Sequence, residues 1–300
     1  MFLRTTLALA LIAIAGSGCD SRADERPTMS SVLEAASESD WREPDPDYTL
    51  YMRIPGGTVV MELAPDFAPN VIENIRVLAK AKFFDGTAII RSQENYVAQW
   101  GDPDADSDNA RSRGDAASSI EAEFYRDAAG LQFTSINSRD AYADQVGFVN
   151  GFPVGKDSDG GRAWLAHCYG MLGVGRGMEP DSGTGAELYV VTGHSPRHLD
   201  RNVVLAGRVI QGMELLTTLP RGTGSLGFYE SEAEYVPIEM IRFASQVAKA
   251  DRIRLSILRT DTDTFRDLVE ARRYRAEDWF VDPTNNIGLC NVPIPVRAAD

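Results

Sequence analysis

The segment Phe83-Phe84-Asp85-Gly86-Thr87 closes a turn and hands the chain to two short apolar runs. One arginine, Arg91, and one glutamine, Gln99, are set in those runs among Ile89, Ile90, Tyr96, Val97 and Ala98. Unpaired buried polar groups cost free energy, so a cation and an amide in a half-buried sheet need partners. The pair predicts a sheet that meets a ligand at this point. Further short apolar runs are separated by turn residues: 48–54 and 58–63 around Pro55-Gly56-Gly57, then 171–174, 187–192, 203–209 and 238–243. One clear helix interrupts them, with Pro69 suited to its first turn and Val71, Ile75 and Leu78 on one face. Many short strands and few helices predict a mainly β chain curled into a closed or nearly closed barrel.

Charge narrows the function. The 300-residue chain carries a formal net charge of -14, which argues against nucleic acid and against a basic membrane-binding face. Membrane attachment is expected instead at the N-terminus. Arg4 precedes an apolar core at 7–15, which has signal-peptide length and is too short to span a bilayer. The following Gly16-Ser17-Gly18-Cys19 resembles the lipobox of bacterial lipoproteins, with Gly16 where an aliphatic residue is usual. That resemblance implies a lipid on Cys19 and residence in the cell envelope, on the periplasmic side. An ordinary cleaved secretory signal that leaves Cys19 free is the alternative. In an oxidising compartment Cys168 and Cys290 either pair with each other or stay as two buried free thiols.

Residues 20–47 are polar and proline-containing, and read as a flexible tether. Residues 48–247 hold the barrel strands, interrupted at about 103–166 by a long, turn-rich insertion. Residues 248–300 read as a short C-terminal α/β extension packed on the barrel: 253–258 alternates like a strand, and Asp261 is placed to cap a helix bearing Phe265, Leu268, Val269 and Arg272. No metal is expected. His194 and His198 have helical spacing, but Pro196 lies between them and no third ligand is evident. Asp102, Asp104, Asp106 and Asp108 alternate as in a calcium loop, yet Ser107 and Arg113 stand where its glycine and glutamate belong, so a solvated acidic loop is expected. His167 reads as a strand-end or turn residue.

Taken in order over 48–247, the opening hairpin, the asparagine-bearing helix, Phe84-Asp85-Gly86-Thr87 with Arg91, Gln99-Trp100-Gly101-Asp102, Gly185-Ala186-Glu187-Leu188-Tyr189, Leu199-Asp200 and Gly207-Arg208-Val209 resemble the cyclophilins. These are peptidyl-prolyl cis-trans isomerases. The resemblance implies a closed eight-stranded antiparallel β-barrel with capping helices, no cofactor, and proline-containing polypeptides as substrates, here exported ones assisted in folding. A monomer is expected. It also implies that Arg91 is the catalytic arginine and that Gln99 binds the substrate backbone. Tyr96, Val97, Tyr189 and Leu199 then wall the proline pocket, His198 stands at its rim, and Gly175 and Arg176 meet the peptide. The chain departs from the family pattern at Ile89-Ile90, at Val203 and at Glu187, which puts a carboxylate where an amide supports the arginine. Those departures leave a second reading, a catalytically weak proline-peptide-binding module or scaffold. A third makes the insertion and the C-terminal extension a partner interface.

Overall fold

The computed structural model describes residues 26–299. A short helix α1 (Met29–Glu34) opens them, capped by Thr28, whose Oγ1 accepts the Ser31 N–H at 3.2 Å. Strand β1 (Trp41–Arg42) follows, then the hairpin of β2 (Thr49–Ile54) and β3 (Gly57–Leu63). Helix α2 (Pro69–Lys80) buries Val71, Ile72, Ile75 and Leu78, the face that its spacing predicts. After β4 (Ala88–Ser92) and β5 (Val97–Gly101), the insertion carries β6 (Arg126–Asp127), β7 (Thr134–Ser135), β8 (Gln145–Val149), β9 (Phe152–Lys156) and β10 (Arg162–Leu165). The chain then returns through β11 (Met171–Val174), β12 (Leu188–Val191) and β13 (Leu205–Gln211) to a short helix α3 (Met213–Thr217). It ends with β14 (Val236–Pro237), β15 (Met240–Phe243), β16 (Leu255–Leu258), α4 (Asp263–Tyr274) and β17 (Val296–Ala298).

The main sheet has nine strands in the order β14-β4-β5-β12-β11-β13-β3-β2-β15. Its two end strands are successive pieces of one segment, separated only by Ile238 and Glu239. The Ile238 N–H donates to Thr87 O at 2.8 Å on one edge, and the Glu239 N–H donates to Arg53 O at 2.9 Å on the other. The sheet is therefore curled, and one stretch of chain passes between its edges. This replaces the expected closed eight-stranded ladder with an open nine-stranded one. Leu50, Met52, Met61, Ile75, Leu78, Phe84, Trp100, Leu172, Val190 and Phe243 fill the concave side. Asn74 ties α2 to the flanking loops: its Nδ2 donates to Thr184 O at 2.8 Å, and its Oδ1 accepts the Ala117 N–H at 2.7 Å.

The regions outside the sheet are more ordered than their sequence suggests. Residues 26–47, expected as a tether, hold α1 and β1, and β1 pairs with β16 in a three-stranded sheet ordered β1-β16-β17. That sheet places Leu255 and Ile257 against Tyr51 and Val60 on the outer side of β2 and β3, burying both faces of the hairpin. The insertion forms its own five-stranded sheet, β6-β10-β9-β8-β7. Phe148 of that sheet meets Phe265 of α4 edge to face, with centroids 5.3 Å apart, and α1 joins the same apolar cluster through Val32. The cap of α4 is Thr262, whose Oγ1 accepts the Phe265 N–H at 3.2 Å; the expected cap Asp261 instead pairs with Arg259 at 2.8 Å. Cys168 and Cys290 are joined as a disulfide, with Cα atoms 5.0 Å apart, fastening the extension beside β11. The signal-like segment, with Cys19, lies outside the described residues.

Candidate functional site

Arg91 and Gln99 are direct cross-strand partners on β4 and β5. Regular alternation after the fully buried Ile89 would turn Arg91 into the core as well. A register shift between Ile89 and Arg91 absorbs Ile90 as an extra residue and brings Arg91 to the outer face beside Gln99. Ala98 and Trp100, the neighbours of Gln99, are fully buried, which fixes the glutamine outward.

The Arg91 guanidinium is held from three sides. Its Nε donates to Leu226 O at 2.7 Å, Nη1 donates to Gln99 Oε1 at 2.8 Å, and Nη2 donates to Gln93 Oε1. It also lies 5.4 Å from the ring centroid of Tyr96 and 5.1 Å from that of Phe228. Burial draws its pKa below the ordinary guanidinium value, Tyr96 and Glu187 oppose that shift, and the group stays a cation. Of its five N–H donors, one on each terminal nitrogen stays unassigned. Glu187 does not pair with the arginine: its Oε1 accepts from Gln99 Nε2, so the amide stands between carboxylate and cation. An ionised carboxylate only accepts, so the Gln99 NH₂ must face Glu187 and its carbonyl must face Arg91.

Beside this group a cavity of about 310 Å³ is lined by Arg91, Tyr96, Val97, Gln99, Val174, Gly175, Arg176, Tyr189, Leu199 and Val203. The apolar part of the wall is the outer face of β5 and β12, where Val97, Tyr189 and Val191 pack with Tyr96 and Val203. Arg176 runs along the rim, its Nε donating to Asn202 O at 2.9 Å. Eight of the ten expected site residues line the cavity. Glu187 stands behind Gln99. His198 is exposed and absent from the wall, because the 3₁₀ turn Arg197–Leu199 sends Arg197 inward and Leu199 to the cavity.

Four participants lie outside the ten expected site residues. Val174 and Val203 add apolar wall, and Phe228 covers the arginine from a loop distant in sequence, forming a bridge pair with it. His167, read as a turn residue, is fully buried and meets the hydroxyl of Tyr189 at 2.9 Å. An apolar slot with Arg91 and Gln99 at one side and Arg176 along its rim suits a ligand that presents a ring and backbone carbonyls.

Comparison with known proteins agrees with this geometry. Residues 49–242 match the family model described as cyclophilin type peptidyl-prolyl cis-trans isomerase/CLD. The crystal structure of the cyclophilin AquaCyp293 from Hirschia baltica is 27% identical, covers 91% of this chain and 99% of its own, and superposes with a TM-score of 0.70. A probable peptidyl-prolyl cis-trans isomerase of Brucella suis is 34% identical over 58 residues, 19% of this chain, and one of Brucella abortus is 33% identical over the same length. The match spans 30% of the length of each of those relatives. The match over 49–242, which takes in the curled sheet and every residue of the cavity wall, makes this chain a member of the cyclophilin-type peptidyl-prolyl cis-trans isomerase family.

Proposed function

We propose that the chain catalyses cis-trans isomerisation of X-Pro bonds in polypeptides. The uncatalysed rotation crosses a barrier of ~18–20 kcal/mol because amide resonance must be broken. No covalent step is required. The catalyst needs a slot for the proline ring, a hold on the neighbouring backbone, and a donor to the imide nitrogen that turns pyramidal and basic in the twisted state. Val97, Leu199, Tyr96 and Tyr189 supply the slot, Gln99 the hold, and Arg91 the donor. The observation that carries the reading is Arg91, which lines the cavity, is pinned through three of its N–H groups and has two more unassigned. A donor already fixed in place has no reorganisation to undergo as the amide twists.

The signal-like segment at 1–19 supports exported polypeptides as the clients, with Cys19 as the lipid-bearing residue on the periplasmic side. A protease-coupled isomerisation assay with an Ala-Pro peptide tests the activity. Turnover by the full chain that is no higher than that of Arg91→Ala sinks the enzyme reading. Peptide binding without turnover would leave a proline-peptide-binding module.

A further inference from the structure

Behind the cavity wall runs a chain of buried polar groups that the isomerase mechanism does not require. His167 is fully buried, with Nδ1 2.9 Å from Asp200 Oδ1 and Nε2 2.9 Å from the Tyr189 hydroxyl. The backbone N–H of His167 donates to the same Asp200 oxygen at 2.9 Å, and Asp200 Oδ2 accepts from Arg197 Nε at 2.6 Å. Arg197 in turn donates from Nη1 and Nη2 to both oxygens of Asp140 in the insertion, at 2.8 and 3.0 Å. Since Asp200 faces only donors, its carboxylate fixes the others: Nδ1 carries the imidazole proton, Nε2 accepts, and the Tyr189 hydroxyl donates. Each group is held in that state. Burial lowers the pKa of His167 and raises that of Tyr189; at Asp200 it acts upward, but the hydrogen bond from His167 and the charge of Arg197 outweigh it and hold the carboxyl low.

Tyr189 has little room to move. Its ring lies on Gly173, where a Cβ would stand 2.1 Å from Cζ, and it is nearly parallel to the His167 ring at 13°. One face of the same residue lines the cavity, while its hydroxyl points away to the imidazole.

We propose that His167 is a positioning residue for the proline slot: by accepting the Tyr189 hydroxyl it fixes that ring as a rigid wall, and Asp200, Arg197 and Asp140 tie the wall to the insertion. The inference rests on the isomerase reading of the cavity. Without the imidazole, the buried hydroxyl has no acceptor and draws the ring toward water, which means into the slot. A tyrosine at this position needs such an acceptor, and a phenylalanine would not.

The test is a double-mutant cycle in the full chain, read in the Ala-Pro isomerisation assay. His167→Leu is expected to lower kcat/KM roughly fivefold to thirtyfold, mainly through KM, the cost of one unsatisfied buried hydroxyl. In a Tyr189→Phe background the same substitution is expected to cost less than about twofold. His167→Gln, whose carbonyl can accept the hydroxyl, should recover most of the loss. Equal losses from His167→Leu in both backgrounds overturn the proposal, because they show a general structural role. If His167→Leu does not fold, His167→Asn, too short to reach the hydroxyl, replaces it in the same cycle. If the unmodified chain binds peptide without turnover, the isomerase reading fails separately, and the cycle is decided in the peptide Kd by the same coupling.

Discussion

Arg91→Lys separates the charge of the arginine from its shape. Lysine keeps the cation but carries three donors on one nitrogen, whereas Arg91 reaches Leu226 O, Gln99 and Gln93 from three separate nitrogens. An ammonium at the end of a flexible stem satisfies one of these groups and holds no fixed donor toward the cavity. A preorganised donor stronger in the transition state is worth about 3–4 kcal/mol, which at ~1.4 kcal/mol per decade corresponds to roughly two to three decades of kcat. The loss should fall in kcat more than in KM, since the proposed proline slot is untouched. Stability should drop by only about 1–2 kcal/mol, the net value of the lost hydrogen bonds. Isomerisation kinetics on an Ala-Pro peptide, with a urea midpoint on the same preparation, measure both. A lysine variant that is folded and keeps a third or more of the turnover would refute the argument, because positive charge alone would then suffice.

Glu187→Gln removes the acceptor-only group that dictates the orientation of Gln99; the amide of Gln99 gains a second orientation that points NH₂ at Arg91, and kcat/KM should change by roughly threefold to tenfold. A change below twofold would show that the orientation is set elsewhere. Cys168→Ser opens a bridge spanning 122 residues and should cost about 2–4 kcal/mol, seen as a lower melting temperature and faster hydrogen exchange in α4 and β17. Stability should also fall in acid: His167, which faces Asp200, Arg197, Tyr189 and the charge of His198, has a folded pKa held below its ordinary value. The unfolded chain therefore binds a proton first, and stability present above pH ~6.5 is lost at up to ~1.4 kcal/mol per unit on the way down toward the folded pKa. Urea midpoints from pH 7 to 5 should show this slope, and it should be reduced in His167→Gln.

What the sequence made legible follows periodicities. The strands at 171–174 and 188–191 and the α2 face of Val71, Ile75 and Leu78 are written in spacings of two and of three to four. The cavity wall draws on β4, β5, β11, β12 and the turns beside them, and short motifs there suffice to point to Val97, Gln99, Tyr189 and Leu199. Features that depend on register or on distant chain were hidden. The shift at Ile90 leaves no composition signal, although it decides which face Arg91 takes. The contact of Glu187 with Gln99 requires the pairing of β12 with β5, and Phe228 lies in a loop beyond β13. Within Arg197-His198-Leu199, nothing local tells that the arginine turns inward and the histidine outward. Residues 26–47 look like a tether because their own apolar groups are few; Val32 is buried only because α4 and the insertion sheet come to meet it.

The departure at Glu187 looks damaging on paper, since a carboxylate near Arg91, the proposed catalytic cation, offers it a permanent partner. The register removes that difficulty. Gln99 pairs directly with both Arg91 on one side and Tyr189 on the other, so the side chain of Glu187, two residues before Tyr189 and on the same face, meets the amide before it meets the guanidinium. The amide passes on orientation while keeping the two charged groups out of a bidentate pair, which would have used the donors that stay unassigned. The remaining effect of the carboxylate is to oppose the lowering of the Arg91 pKa by burial. Charge at position 187 thus supports a half-buried cation with two N–H groups unassigned, and on the proposed isomerase reading a carboxylate there is compatible with turnover rather than a mark of its loss.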